Sequence, residues 1–371
     1  MASRRARLEL DGYTGEAGCD GGLIQVQIVN HYGAYVASRE EAVSLNDACW
    51  VKHLHCQGMR KNMSSDRSIV LHVGAHKTAS TLLQRAMSQQ ADDLERDGLA
   101  VTHRRDILDT AFFRNLKQIV ISGNVPSPSE TEVSKRDFGQ LVDRDASRVL
   151  LTNENFLENF RKPRFYRNAK VALSWISDLS DDPLSIVLFT RSQPDYIESM
   201  YMQRLHLGES IAFDEASVKY ANLNMSWASI LDDVSDVLGR ESVTSIPYEA
   251  VKRVGATGYY RAFLAACGVD GTTYEIPAEM ETSRSANRSY SGEAMKLALA
   301  INPLIPRQKR KVFRKYLQEN YSTATHPKAE LFSEAERATI LELYAEENLR
   351  LFVEHMPDWR EDAAAYGVST T

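Results

Sequence analysis

His76-Lys77-Thr78-Ala79-Ser80-Thr81 follows a short apolar run and opens an amphipathic one. Lys77 brings a point charge, and Thr78, Ser80 and Thr81 bring hydroxyl donors. The first turn of a helix directs its free backbone N–H groups at whatever lies in front of it, so this order of residues builds an anion cradle. Hydroxyl residues at a helix start also serve as ordinary N-caps, with the same geometry. The loop is not a Walker A sequence, because Gly-x4-Gly-Lys-Ser/Thr is absent and Gly74 stands three residues before Lys77.

A second group lies in Phe189-Thr-Arg191-Ser-Gln-Pro-Asp-Tyr-Ile-Glu-Ser199-Met-Tyr201. A guanidinium fork and a hydroxyl suit a phosphate monoester. The plainer alternative is an arginine paired with a surface carboxylate and a serine exposed on a helix.

Elements must bring these residues together. Strands are predicted at 68–73, 99–103, 148–152, 185–190 and 241–246. Helices are predicted at about 78–96, 163–179, 195–207 and 214–238, with helical patterns dominating after Gly258. Leu82, Leu83, Ala86, Met87 and Leu94 share one face of the first helix, and Gly98 stops it. The stretch 105–147 reads as mixed and polar, loop-like at 123–129. Short strands alternating with helices predict an α/β fold with a parallel sheet. Ligands of such sheets sit at the C-terminal strand edges. Gly74–Lys77, Asn153–Glu154 and Arg191 all follow strands, so all three can reach one crevice.

The chain has 371 residues, 43% hydrophobic and 25% charged, with a net charge of −6, an ordinary globular composition. No global basic field favours nucleic acid, so an anionic ligand needs a local positive pocket. Cys19, Cys49, Cys56 and Cys267 show no metal-like spacing, which reads as a reduced intracellular compartment. No apolar run is long enough for a transmembrane span, and the start Met-Ala-Ser-Arg-Arg-Ala-Arg lacks the apolar core of a secretory signal. The expectation is a cytoplasmic protein. Residues 1–62 hold seven of the 19 glycines and one strand-like run, Leu23–Val29. Residues 1–66 are expected to be a poorly ordered extension, with Met63 a natural start just before the first core strand. Residues 67–360 form the expected domain, and 361–371 a tail.

His76-Lys-Thr-Ala-Ser-Thr-Leu-Leu-Gln84, taken with Arg191-Ser-Gln-Pro-Asp-Tyr-x2-Ser-x-Tyr201, resembles the sulfotransferase superfamily, in the flavour of its bacterial, carbohydrate-sulfotransferase-like branch. The resemblance covers residues 68–352. It implies a three-layer, P-loop-NTPase-like sulfotransferase fold with a helical C-terminal part. It also implies 3′-phosphoadenosine 5′-phosphosulfate (PAPS) as co-substrate and a hydroxyl acceptor, with a carbohydrate or glycolipid favoured. By the resemblance, His76, Lys77, Thr78, Ala79, Ser80 and Thr81 hold the 5′-phosphosulfate, while Arg191 and Ser199 hold the 3′-phosphate. Lys77 neutralises charge at the bridging oxygen as it leaves. A late loop, Arg284-Ser-Ala-Asn-Arg288-Ser-Tyr290, is expected to close over the 3′-phosphate or adenine through Arg288, or else to be an ordinary basic loop before a helix.

The family usually has glycine where this chain has Ala79. That alanine is strained by roughly 1 kcal/mol or more if the position needs a positive φ, and harmless if it lies in the first helical turn. The second case is expected here. Glu154, two residues past a strand, is the leading general base for the acceptor hydroxyl, and His103 is its rival. Glu154 has a plainer reading as a capping or surface carboxylate, and His72 reads as a core histidine. Arg307, Lys309, Arg310, Lys311, Arg314 and Lys315 form a basic run, either attractive to an acidic polysaccharide or simply a solvated helix face. Ser333-Glu-Ala-Glu336 reads as a capping box on a packing helix. No metal constellation is visible. The competing readings are a P-loop kinase or nucleotide hydrolase, and a nucleotide-binding protein without turnover.

Overall fold

The computed structural model describes residues 67–159, 164–277, 280 and 289–369, together with the backbone of strands within residues 6–37. The chain divides into two units, Met1–Ser64 and Ser65–Thr371.

The first unit holds β1 (Ala6–Leu10), β2 (Tyr13–Asp20), β3 (Leu23–Asn30) and β4 (Gly33–Ala37), an antiparallel meander in chain order. The pairs Leu10↔Tyr13, Asp20↔Leu23 and Asn30↔Gly33 set its register. Sequence reading had found only the Leu23–Val29 run. The signals it passed over are Asp11-Gly12 and Gly21-Gly22, dipeptides that hairpins favour.

The second unit is a mixed α/β body. Its strands are β5 (Ser68–His72), β6 (Leu99–Thr102), β7 (Arg148–Thr152), β8 (Leu184–Thr190) and β9 (Val243–Pro247), in the order β6-β7-β5-β8-β9. Every pairing is parallel. Between them run α1 (Ser80–Gln89), α2 (Ala91–Arg96), α3 (Arg104–Ile107), α4 (Ala111–Ser122), α5 (Pro128–Val142), α6 (Ala169–Ser177), α7 (Gln193–His206), α8 (Phe213–Ala221) and α9 (Trp227–Leu238). After β9 come α10 (Val251–Ala266), α11 (Gly292–Ile301), α12 (Arg310–Asn320), α13 (Glu334–Leu343) and α14 (Ala345–Arg350).

The central strands are buried on both faces, as a parallel sheet requires. Ile69, Leu71, Val149, Leu151, Ile186 and Leu188 pack on one side with α4, α5, α6 and α9. Val70, Leu150, Val187 and Phe189 pack on the other with α1 and α10. Alternation along β5 therefore sends His72 into the second layer, edge-on to Phe189 and Phe263. Its Nδ1 meets Thr152 Oγ1 at 2.8 Å, and burial lowers its pKa to about 4, a neutral core histidine.

Several predicted elements subdivide. The helix expected over 78–96 is two, broken at Gln90, and the one near 214–238 breaks before Ser226, whose side chain caps α9. The stretch 105–147 is mostly helical. Gly123 adopts a positive φ at the end of α4, and Ser127 with Glu130 forms a capping box on α5, so the apparent loop is a helix–helix turn. Among the described residues, the tail expected over 361–371 is folded as far as residue 366. Helical turns over Pro357–Tyr366 bury Ala363 and Tyr366 in the first core layer.

Candidate functional site

In the order β6-β7-β5-β8-β9, the connection from β5 leaves toward β6, and that from β8 leaves toward β9. The crevice of such a sheet opens between those two strands, at their carboxyl ends. The loops after β5 and β8 meet there. The β5 loop keeps contact with β8, since the Val73 and Ala75 amides donate to Val187 and Phe189 carbonyls at 3.1 and 2.8 Å.

The loop then turns sharply. Gly74 has φ +118°, and a Cβ there would meet Tyr166 Oη at 2.9 Å, so glycine is required on two counts. Lys77 and Ala79 have φ +67° and +64°. Ala79 is the residue before α1, not part of its first turn, so the expectation that it sits harmlessly in helix is overturned. Hydrogen bonding of the Leu82 and Leu83 amides to the Ala79 carbonyl starts the helix only at Ser80. No side chain caps α1, and its first turn carries no acidic residue. Among the described residues, no backbone carbonyl accepts from the amides of Lys77, Ala79 or Ser80.

Arg191, at the end of β8, locks onto this loop. Its Nη1 donates to the Lys77 carbonyl at 2.7 Å, and its guanidinium lies 4.9 Å from the centre of the Tyr248 ring. The Trp227 indole N–H holds the Arg191 carbonyl at 2.7 Å, while Arg191 Nε is buried with no partner among the described residues. Lys77 Nζ lies 3.4 Å from Gln203 Oε1 on α7. Burial lowers the Lys77 pKa, the Arg191 charge lowers it further, and Glu154 opposes both. Two like charges are thus held side by side at an open helix start, an arrangement that an anion would relieve.

The third wall comes from β7. Glu154 Oε1 lies 3.8 Å from His76 Nδ1. Burial alone would raise the Glu154 pKa, but the polar His76 and Ser80 side chains beside it outweigh burial and hold it at about 2. Glu154 is therefore a carboxylate at neutral pH.

Of the residues singled out from sequence, His76, Lys77, Ser80, Glu154 and Arg191 come together. Thr78 borders them, but its hydroxyl donates inward to the Ala75 carbonyl at 2.7 Å, and Thr81 is exposed. Ser199 lies one turn before Gln203 on the same face of α7, its Oγ donating back to the Tyr196 carbonyl at 2.9 Å. Arg288 and Arg284 lie outside the described residues. His103 does not join the group. It follows β6, the edge strand two places from β5, roughly 10 Å across the sheet. Burial lowers its pKa, and the charged neighbours that act on it are Asp106, Arg105 and Arg144. The rival to Glu154 as general base thus has no charged neighbour among the residues around Lys77.

Gln203, Tyr166, Tyr248 and Glu249 were missed by sequence reading. Gln203 carried a faint signal, four residues beyond Ser199 on a helix. Glu249 is buried, and its Oε1 accepts from the Ser192 amide at 3.0 Å, closing the start of α7. Away from the crevice, Asp232, Glu354 and His355 lie within 4.8 Å of one another. Arg350 pairs with both carboxylates there and already supplies the cation.

No protein-family model matches the chain, and no curated protein matches it. Among solved structures it is similar to a sulfotransferase from Alicyclobacillus acidocaldarius, at 17% identity and a TM-score of 0.37, over 70% of this chain and 98% of that one. It is also similar to the sulfotransferase domain of the Synechococcus PCC 7002 olefin synthase, at 14% identity and a TM-score of 0.34, over 71% of this chain and 96% of that one. Likeness at that level leaves the functional reading to the site's own residues.

Proposed function

We propose that the unit Ser65–Thr371 is a sulfotransferase that moves a sulfuryl group from 3′-phosphoadenosine 5′-phosphosulfate to a hydroxyl acceptor of the carbohydrate or glycolipid class. The observation that carries this reading is the Arg191 guanidinium docked on the Lys77 carbonyl at an uncapped helix start. It sets two cations and a fan of free amides at the mouth of the crevice, which suits a ligand with two separated anionic groups.

In this reading the amides of Lys77, Ala79 and Ser80, with the Ser80 and Thr81 hydroxyls, hold the 5′-phosphosulfate. Arg191 and Ser199 hold the 3′-phosphate. Lys77 leaves Gln203 to neutralise the oxygen released as the sulfur–oxygen bond breaks, the largest electrostatic demand of such a transfer. Glu154 accepts the acceptor hydroxyl's proton. Its low pKa makes it a weak base in the free protein, and an anionic donor brought beside it raises that pKa toward a useful range. His76 orients the Glu154 carboxylate from the loop side.

The test is transfer of labelled sulfate from the donor to a panel of sugars, glycolipids and small alcohols. Transfer by the natural protein and none by Lys77→Ala is the expected result. Phosphate transfer that needs ATP and Mg²⁺ would replace this reading with a kinase. Tight binding of 3′-phosphoadenosine 5′-phosphate with no turnover on any acceptor would replace it with a binding protein.

A further inference from the structure

The stretch Leu304–Tyr316 carries six cations, Arg307, Lys309, Arg310, Lys311, Arg314 and Lys315, and no acidic residue, in a chain whose net charge is −6. It spans the turn between α11 and α12 and most of α12. The helix is anchored by Leu317, fully buried against α7 and α11, and Arg310 folds inward over Gly208. Arg314 is half-buried, its charge felt by the buried His206. The other four cations face solvent.

Three apolar side chains stand among them. Leu304 is 79% exposed, Val312 71% and Tyr316 52%. Val312 and Tyr316 are one turn apart on α12, and Lys311 and Lys315 form the adjacent row, ending in a pair between Lys315 and Glu319 at 3.7 Å. Other apolar side chains are exposed elsewhere, Leu343 at 70% and Val218 at 60%, but these three stand within a run of six cations. A polysaccharide partner would use the cations and the Tyr316 ring but not Leu304 or Val312. An anionic bilayer uses the cations and all three apolar side chains, because apolar side chains enter the boundary between headgroups and acyl chains while lysines and arginines pair with acidic headgroups. Tyrosine suits the same depth. Among the described residues no helix is long and apolar enough to cross a membrane, so the contact would lie on the surface.

We propose that the α11–α12 hairpin is a peripheral docking surface for an anionic lipid bilayer, with Leu304, Val312 and Tyr316 inserted and Arg307, Lys309, Lys311 and Lys315 on the headgroups. The proposal does not depend on the sulfuryl-transfer reading.

Flotation of the full chain with vesicles tests it. Vesicles of phosphatidylcholine mixed with phosphatidylserine should capture the protein, pure phosphatidylcholine should not, and added salt should release it. The double variant Leu304→Ser/Val312→Ser keeps every charge and should weaken capture roughly tenfold. Unchanged circular dichroism and melting temperature would show that its fold is intact. Lys309→Glu with Lys311→Glu should weaken capture at least as much. Absence of capture by the mixed vesicles would overturn the proposal. Capture unaffected by the serine pair but abolished by charge reversal, and matched by heparin, would assign the surface to a soluble polyanion instead.

Discussion

The helices that leave the two central strands begin in opposite ways. The start of α7, after β8, is closed by the protein's own carboxylates. Glu249 accepts the Ser192 amide, and Asp195 in the first turn pairs with Arg337. The start of α1, after β5, is left open. Ala79 offers no cap, no acid stands in the first turn, and Lys77 and Arg191 bring positive charge instead. Away from the crevice, α5 and α13 each begin in a full capping box, whereas α6, α10 and α12, like α1, have neither a side-chain cap nor an acid in the first turn. A missing cap costs about 1 kcal/mol, and a left-handed residue other than glycine about 1–2 more. The unit bears these costs together at one helix start, the one that the proposed function assigns to an anionic donor.

The comparison can be broken by removing what makes α1 different. Lys77→Ala should lower turnover by roughly a hundredfold to a thousandfold, as losses of transition-state charge stabilisation do, with folding intact by circular dichroism. Unchanged turnover would remove the crevice from the chemistry. Glu154→Gln should lower turnover by roughly a hundredfold while calorimetry shows product-nucleotide binding nearly unchanged.

That carboxylate also has a pH signature. Its folded pKa of about 2 lies below the ordinary value of 4.5, so its contribution to stability is whole above about pH 4.5 and lost as pH falls toward 2. The urea-midpoint gap between the natural protein and Glu154→Gln should close over that window. A gap that widened there would reverse the assignment.

Arg191→Ala should weaken binding of 3′-phosphoadenosine 5′-phosphate by about 1.5–3 kcal/mol, the range for a charged hydrogen-bonding group. Two smaller changes should have opposite signs. Ser333→Ala removes the α13 cap and should cost about 1 kcal/mol of stability without touching activity. Ala79→Gly relieves the positive φ but frees the unfolded chain, so thermal melting should show a net gain of about 0.5 kcal/mol. Destabilisation by that glycine would mean that the loop is not held as described.

Much of the second unit was legible because its signals are local. Four strands of the parallel sheet announced themselves as short runs rich in apolar residues and the fifth by its β-branched Val243, Thr244 and Ile246, and placing Lys77, Glu154 and Arg191 after strands was enough to bring them to one edge. Local signals failed where polar residues continue a helix. The stretch 105–147 read as mixed and polar because the helical periodicity is weak there, and the loop-like 123–129 gave no sign that Ser127 and Glu130 form a capping box. His103 looked like Glu154, since both follow strands. Only the order of the strands, which no single strand encodes, sends it to the edge of the sheet.

The sequence by itself determined the chemistry available to the crevice: a lysine among hydroxyls at a helix start, an arginine at a strand end, a carboxylate between them in the chain. Residue type and spacing along one element set those features. Tertiary structure alone decided that Arg191 grips the Lys77 carbonyl, that Gln203 faces the lysine, that Glu249 closes the neighbouring helix, and that Ala79 is left-handed. Those outcomes depend on groups brought together from distant parts of the chain, and on the β5 loop following β8 before it can turn. Such contacts form only when the sheet has assembled.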